Sequence, residues 1–183
     1  MPHAHRPSRP PEELSARRVH AGGTLAGGVL TDELSQFCQS GVSVVLASCD
    51  ENHRPVVGRG LACRIDQAGK VRLVIRKDSN LGLLRSIAQG GGLAATFTKP
   101  TTHRSIQLKA SFARIGATAP QDGEAATRQT AALTANLVED GYWDAFAAHY
   151  CAFEPDELTV LEFVPERAFV QTPGPGAGSP LQP

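Results

Sequence analysis

The sequence lacks an excess of either charge. Lysine and arginine together number 18, and aspartate and glutamate also number 18. A chain without net charge has no overall field to attract nucleic acid or an anionic membrane. No apolar run approaches the ~20 residues of a membrane span, and no apolar stretch near the N-terminus suggests a signal peptide. We therefore expect a soluble, cytoplasmic protein without nucleic-acid or membrane partners, in which any anion is held by local side chains.

Cysteine is scarce and shows no ligand spacing. Cys38, Cys49, Cys63 and Cys151 form no Cys-x-x-Cys pair or other metal-binding pattern, and three of them lie in apolar runs. This indicates reduced, buried thiols. The phosphate-binding motif Gly-x-Gly-x-x-Gly is also missing, as are a nucleophile elbow and a glycosidase-like carboxylate pair. Catalytic residues therefore stay unknown, no metal site is expected, and any chemistry would come from a cofactor.

Proline and glycine concentrate at the two ends of the chain. Residues 1–28 have a composition that buries little apolar surface, which predicts a flexible N-terminal extension. Residues 173–183, PGPGAGSPLQP, are predicted to be a C-terminal tail that continues neither a helix nor a sheet. The region between them, residues 29–172, is long enough for a single domain with one hydrophobic core.

Hydrophobic periodicity predicts six strands in this region. They cover residues 42–49, 56–65, 70–77, 93–99, 104–116 and, around a bulge at Pro165, 158–172. Helices are predicted after the caps Thr31 and Ser79, and over residues 124–138 after a turn at 120–123, continuing through 142–150. Short loops between consecutive strands favour antiparallel pairing. We predict a mainly β domain with flanking helices, built as a six-stranded antiparallel split barrel.

The fifth predicted strand has an unusually specific polar face. Counting by twos places Ser105, Gln107, Lys109 and Ser111 on one side and Ile106, Leu108, Ala110 and Phe112 on the other. The apolar side is predicted to pack in the core. The amide of Gln107 can donate to and accept from a heterocycle, and the ammonium of Lys109 can stabilise negative charge. The polar side is thus a candidate ligand surface, with a solvent-facing strand as the alternative.

A second candidate lies where the third strand meets the next helix. Arg76 and Lys77 arrive at a predicted helix N-terminus capped by Ser79, where unpaired backbone N–H groups favour an anion. Arg59 adds a cation on a strand face that is otherwise apolar, and a cation in that setting favours a fixed anion. The apolar members of that face are Leu61, Cys63 and Ile65. These cations predict a phosphate site, with solvated strand-end charges as the alternative.

Two segments resemble a known family. HRSIQLKA at 103–110 resembles a strand of the pyridoxamine 5'-phosphate oxidase-like, FMN-binding split-barrel proteins, and QTPGPGAG at 171–178 resembles the ending of one bacterial subgroup. The order of predicted elements is also similar from about residue 31 to 178. The resemblance implies that the FMN phosphate is held by Arg59, Arg76, Lys77 and Ser79. It places Gln107 near the flavin ring, surrounded by Arg104, Ser105 and Lys109.

The resemblance also implies a homodimer with the cofactor at the subunit interface, which would explain how a domain with only 5% aromatic residues encloses a flat ring. Tyr142 and Trp143 are expected to pack in the core or at that interface, or else to line the flavin site. True pyridoxamine phosphate oxidases end in an Arg-Leu-x-Pro segment, whereas this chain ends in SPLQP. Pyridoxamine phosphate is therefore not the expected substrate.

The expected function is that of an FMN-dependent oxidoreductase acting on an unknown small molecule. One alternative is a non-enzymatic sensor or carrier that binds flavin or haem on the same barrel, with His103 as the haem ligand beside the proposed site. A cofactor-free dimerisation module is another. The fold alone does not separate them.

Overall fold

The structure, a computed structural model, describes residues 28–181. Within this range the helices are α1 Asp32–Cys38, α2 Leu81–Ala88, α3 Pro120–Glu139 and α4 Asp144–Cys151. The strands are β1 Ser43–Cys49, β2 Pro55–Ile65, β3 Val71–Arg76, β4 Leu93–Thr98, β5 Ser105–Ala110, β6 Arg114–Gly116, β7 Leu158–Phe163 and β8 Arg167–Val170. Short 3₁₀ turns, Asp78–Asn80 and Pro155–Glu157, precede α2 and β7. Apart from Gly28, the predicted N-terminal extension lies outside the described residues.

The strands of the described region form one antiparallel sheet in the order β6-β7-β3-β2-β1-β4-β5-β8. The mainly β architecture with flanking helices agrees with the prediction. The count of six strands is not confirmed, because the predicted fifth and sixth strands are each interrupted, at 111–113 and 164–166, which gives eight strands in an open order. In the β5–β8 ladder, Ile106 pairs with Val170. In the β6–β7 ladder, Arg114, eight residues after Ile106, pairs with Glu162, eight residues before Val170. The β5–β8 and β6–β7 ladders therefore share one register, although they lie at opposite ends of the strand order.

A β-bulge in β2 changes which side chains share a face. The β2–β3 register shifts between Gly60 and Ala62, and Leu61, Ala62 and Cys63 are all buried. Leu61 packs in a cluster with residues of α3, whereas Cys63 packs in the central core. The prediction that Arg59 shares one face with Cys63 is therefore wrong, because strict alternation ends at the bulge.

Helix α1 is capped as predicted, since Thr31 Oγ1 accepts a hydrogen bond from the backbone N–H of Leu34 at 3.3 Å. Helix α2 begins later than predicted. Ser79 lies in the preceding 3₁₀ turn and is exposed, and the N-cap position belongs to Asn80, whose side chain makes no capping hydrogen bond. The predicted role of Ser79 as the helix cap is therefore wrong.

The helical hairpin after β6 also differs from the prediction at its ends. Residues 120–123 are the first turn of α3, because proline is well suited to the first position of a helix. Residues 142–150 do not continue α3. Gly141 adopts φ +97°, which turns the chain, and α4 starts as a separate helix at Asp144.

The C-terminal tail returns to the sheet. The backbone N–H of Gly178 donates to the carbonyl of Val170 at 2.8 Å, and the N–H of Val170 donates to the carbonyl of Ser179 at 2.9 Å. The N–H of Leu181 donates to the carbonyl of Ala168 at 2.8 Å, and the Leu181 side chain packs against the core. The prediction that this tail could not continue a sheet is wrong, because a turn rich in glycine lets it fold back along β8.

Two buried carboxylates, Asp122 and Glu162, join the start of α3 to the sheet. Arg72 bridges them: its Nη2 lies 2.6 Å from Asp122 Oδ2, and its Nη1 contacts Glu162. Three further cations contact these carboxylates. Arg64 lies 2.9 Å from Asp122, Lys70 lies 2.9 Å from Glu162, and Arg114 also contacts Glu162. We call these six residues the ionic cluster. Burial raises the pKa of Asp122, but hydrogen bonds from Arg72, Arg64 and the Ala119 N–H outweigh burial and lower it to about 2.

We expect the free energy of unfolding to fall as the pH drops from about 4 to about 2. The pKa of Asp122 is about 2 in the folded protein and about 4 in an unfolded chain, so the unfolded state binds more protons in this window. Asp122 then contributes about 2 kcal/mol above pH 4, and this contribution is lost below pH 2. Urea titrations of the wild type and Asp122→Ala at pH 6 and pH 3 should show a smaller difference at pH 3. A difference that does not depend on pH would contradict this prediction.

Candidate functional site

Two predicted site residues lie in one row across the sheet. Arg59 pairs with Val45, Val45 with Thr96, and Thr96 with Gln107. Cross-strand partners project from the same face, and this face points away from the core because Val44, which alternates with Val45, is buried. Three strand spacings separate Arg59 from Gln107, or about 14 Å. We call these four residues the outer row.

A second row of side chains lies beside the outer row on the same face. On each strand that the two rows share, its member is two residues away from the member of the outer row. Its members are Val57, Ala47, Ala94, Lys109 and Arg167. We call the two rows together the outer face. Val45 is 48% exposed and Val57 is 66% exposed, so the outer face is open over β1 and β2 in the part of the chain that the structure describes.

Arg59 is the strongest candidate for anion binding on the outer face. Its Nε and Nη2 atoms are buried and have no hydrogen-bond partner among the described residues. The ring centroid of Tyr150, from α4, lies 3.3 Å from the guanidinium carbon. Burial lowers the pKa of Arg59, and the nearby charge of Arg76 adds to this, while Tyr150 and Cys151 oppose it. Because buried donors without an acceptor are unfavourable, an anion at this point would stabilise the site.

Asn80 connects the two strands that carry Arg59 and Arg76. Its Oδ1 accepts from the backbone N–H of Arg59 at 2.8 Å, and its Nδ2 donates to the carbonyls of Arg76 at 2.7 Å and Arg59 at 3.2 Å. Gly58 leaves room for this amide, since a Cβ at position 58 would overlap Asn80 Oδ1. Sequence reasoning did not single out Asn80. The sequence features that could have indicated its role are an asparagine at the end of one strand and a glycine, Gly58, in the neighbouring strand.

The other members of the predicted phosphate site lie beside Arg59 but differ in availability. Arg76 forms an ion pair with Glu157, with Nε 3.0 Å from Oε2. Lys77 and Ser79 are exposed in and before the 3₁₀ turn. The backbone N–H of Lys77 donates to the Glu157 carbonyl at 2.8 Å, so it is already used. The side chains of Arg76, Lys77 and Ser79 could approach an anion bound at Arg59. The predicted helix N-terminus capped by Ser79 is absent, because α2 begins only at Leu81.

On β5, Gln107 and Lys109 project from the outer face as predicted. Gln107 Nε2 donates to Thr96 Oγ1 at 2.9 Å, which holds the amide within the outer row. The ammonium of Lys109 lies 4.9 Å from the ring centroid of Phe169. Lys109 makes no ion pair with a carboxylate in residues 28–181. These two side chains therefore remain candidates for ligand contact at the end of the face opposite Arg59.

Arg104 is directed toward α1. Its Nη2 lies 2.8 Å from Glu33 Oε1, and its guanidinium carbon lies 4.6 Å from the ring centroid of Phe37. Both partners belong to α1. The structure thus does not bring Arg104 together with Arg59, and the ion pair gives it a role in attaching α1 to the β4–β5 turn.

Ser105 lies in the next row of the same face, but it is buried. Its hydroxyl is 2.8 Å from Thr98 Oγ1, and its backbone N–H donates to Thr172 Oγ1 at 2.9 Å. His103 lies in the preceding turn with φ +55°, and its carbonyl accepts from Ser105 Oγ at 3.0 Å. These contacts make Ser105 part of the turn and the C-terminal segment.

An aromatic stack formed by α4 and the residues just before it begins at Arg59. Ring centroids are 5.8 Å apart between Tyr150 and Phe146, and 5.4 Å apart between Phe146 and Tyr142. Tyr142 is 48% exposed and Trp143 is 80% exposed. The expectation that Tyr142 and Trp143 could pack in the core is therefore wrong, because both side chains are exposed in the segment that precedes α4.

Within residues 28–181, the cysteines and possible metal ligands form no second candidate site. Cys38, Cys63 and Cys151 are buried as expected, but Cys49 is exposed at the end of β1. Burial raises the pKa of Cys38 well above its usual value. Across residues 28–181, His, Cys, Asp and Glu side chains form no group of three that could hold a metal ion. No helix in this range has the length and apolar character needed to cross a membrane.

Comparison with known proteins gives matches among solved structures. No family model matches the sequence, and no curated protein matches it either. HupZ from Group A Streptococcus superposes with a TM-score of 0.50 and 15% identity, covering 82% of this chain and 100% of HupZ. A candidate pyridoxamine 5'-phosphate oxidase from Lactobacillus delbrueckii gives 0.48 and 15%, covering 78% and 94%. HutZ, described as the heme storage protein of Vibrio cholerae, gives 0.45 and 15%, covering 78% and 94%.

The superposition on HupZ extends over the whole of that structure and over most of this chain, and it is a finding about the fold. The chain thus has the fold of HupZ, and this similarity agrees, for the fold alone, with the family resemblance noted in the sequence.

Proposed function

We propose that this chain binds FMN on its outer face and acts as an oxidoreductase on a small molecule. The observation that carries the proposal is the buried guanidinium of Arg59, which has two unpartnered donors and lies in one cross-strand row with Gln107. A phosphate can accept both donors of a guanidinium edge at once, which favours arginine for this task. An amide about 14 Å away can donate to and accept from a heterocycle.

In this proposal Arg59 is the main phosphate ligand. Arg76, Lys77 and Ser79 surround the phosphate from the end of β3, and Gln107 and Lys109 contact the ring from β5. When bound, FMN would supply the hydride or electron transfer that the side chains of this face do not provide. Arg104 and Ser105 contribute by holding the β4–β5 turn, since their side chains are engaged with Glu33 and Thr98.

We further propose a homodimer with the cofactor at the subunit interface. Val45 and Val57 on the outer face and Trp143 beside α4 are large, exposed apolar side chains. Grouped exposed apolar side chains are typical of interaction sites. A second copy over this face would cover Val45 and Val57 and would enclose a flavin that a single open sheet leaves in water.

An absorbance spectrum of the purified protein, followed by titration of the apoprotein with FMN, tests the proposal. Flavin bands at close to one FMN per chain would support it, and gel filtration would then report the dimer. A haem spectrum instead would favour the sensor or carrier alternative. A colourless protein that does not bind FMN would favour a cofactor-free module.

Replacing Arg59 with alanine should weaken FMN binding by about 10-fold to 150-fold. The reason is the loss of a charge-assisted hydrogen bond to the phosphate, worth about 1.5–3 kcal/mol. Quenching of flavin fluorescence gives the dissociation constants. Arg54→Ala, at an exposed position before β2, is the matched control and should bind FMN like the wild type. Riboflavin lacks the phosphate, so its affinity should not change; equal losses for both ligands would remove Arg59 from the phosphate site.

A further inference from the structure

The two interruptions of the sheet face each other. In the register shared by the β5–β8 and β6–β7 ladders, Phe112 falls opposite Val164, and neither residue belongs to a strand. Phe112 is 64% exposed and Val164 is 50% exposed. The prediction that Phe112 packs in the core is wrong, because β5 ends at Ala110. Two large apolar side chains thus meet water at one point of the surface, which is unfavourable unless something covers them.

A cavity of about 280 Å³ opens at this point. It is lined by Lys70, Phe112, Arg114, Glu162, Phe163, Val164 and Glu166. Phe163 belongs to the central core and is only 3% exposed, so it forms a rigid wall. A cavity of about 150 Å³ can hold benzene, so there is room here for one aromatic ring and a small substituent.

One wall of this cavity carries two cations, Lys70 and Arg114, which are both paired with the buried Glu162. Lys70 and Arg114 both contact the same oxygen, Glu162 Oε2, while Arg72 contacts Oε1. In the ionic cluster, four cations are paired with only two carboxylates. An ammonium carries three N–H donors and a guanidinium five, so one shared oxygen leaves donors of Lys70 and Arg114 available.

The remaining carboxylate of the cavity is held in place by its neighbours. Glu166 Oε1 accepts from the backbone N–H of Ser111 at 3.1 Å and also from the Ser111 hydroxyl. Glu166 therefore closes the interruption between the two strands, and it lies on the cavity together with the apolar pair Phe112 and Val164. The spare donors of Lys70 and Arg114 together with the apolar wall suit a ligand with an anionic end and an apolar body.

We propose that this cavity binds a small aromatic carboxylate. The ring would lie between Phe112 and Val164 against Phe163, and the carboxylate would lie on Lys70 and Arg114. None of these residues belongs to the proposed FMN site, so a negative result for one site does not affect the other.

Calorimetric titration of the full chain with benzoate tests this proposal, with benzyl alcohol and benzylamine as ligands of matched size. We expect benzoate to bind at least ten-fold more tightly than either of them. Equal binding of benzyl alcohol, tighter binding of benzylamine, or no benzoate binding at concentrations up to tens of millimolar would overturn it.

Two substitutions locate the binding. Arg114→Gln should weaken benzoate binding about ten-fold, and Val164→Trp should abolish it by filling the cavity; both residues are exposed, so the fold should tolerate the changes. Arg128→Gln, at an exposed position on α3, is the control and should bind benzoate normally. If Val164→Trp does not fold, Phe112→Ala should weaken binding instead. Unchanged affinity in Arg114→Gln and in the folded cavity variant would place benzoate elsewhere and overturn the assignment.

Discussion

Replacing Asp122 with alanine should destabilise the protein by about 3 kcal/mol. Asp122 is fully buried, and its carboxylate accepts hydrogen bonds from Arg64, Arg72 and the Ala119 backbone N–H. Without this carboxylate, the guanidinium groups of Arg64 and Arg72 lose an anionic partner. The backbone N–H of Ala119, at the start of α3, loses its hydrogen-bond acceptor. Losing one partner of a buried ion pair is costly because the other charge stays partly desolvated.

Urea denaturation of Asp122→Ala at pH 7 measures this effect. Glu124→Ala is the matched control: Glu124 is two residues further along α3 and exposed, so its loss should change stability by less than about 0.5 kcal/mol. An equally small change in both variants would show that the buried carboxylate of Asp122 contributes little to stability, and it would contradict this prediction. The expected difference also links the position of α3 to the sheet, because Arg72 lies on β3 and contacts both carboxylates.

The regular strands and the first helix were predictable because their signals are local. β1 has apolar residues on both faces, and the hydroxyl of Thr31 stands one residue before α1. The departures arise where tertiary contacts override alternation. The bulge at Gly60–Ala62 lets three consecutive residues be buried, and the break after Ala110 sends Phe112 to the surface. The break after Ala110 has no proline or glycine in residues 111–113, and Gly58 and Gly60 before the bulge do not by themselves fix where the register shifts.

The candidate site was predictable in part for a related reason. Alternation correctly placed Gln107 and Lys109 on one face, and Arg59 was singled out as a cation that favours an anion. What sequence reasoning missed are the partners of Arg59, since Asn80 and Tyr150 are 21 and 91 residues away along the chain. Only the pairing of β2 with β3, and the packing of α4 beside them, brings these groups together.

Replacing Asn80 with alanine should lower stability by about 3 kcal/mol and also weaken FMN binding. The Asn80 side chain is buried and serves three backbone groups, the N–H and carbonyl of Arg59 and the carbonyl of Arg76. Each buried polar group that loses its partner costs about 1–3 kcal/mol, although water entering the space would offset part of the sum. Ser79→Ala is the control for stability, because Ser79 is exposed and does not cap α2.

The effect on binding separates a positioning role of Asn80 from a purely structural one. At a temperature where Asn80→Ala is fully folded, FMN affinity should fall at least five-fold while riboflavin affinity stays the same, because only the phosphate contacts depend on how Arg59 is held. Asn80→Asp keeps the acceptor for the Arg59 N–H and should recover part of the stability. If folded Asn80→Ala binds FMN like the wild type, then the stack of Tyr150 on the guanidinium is enough to hold Arg59, and the amide serves the fold alone.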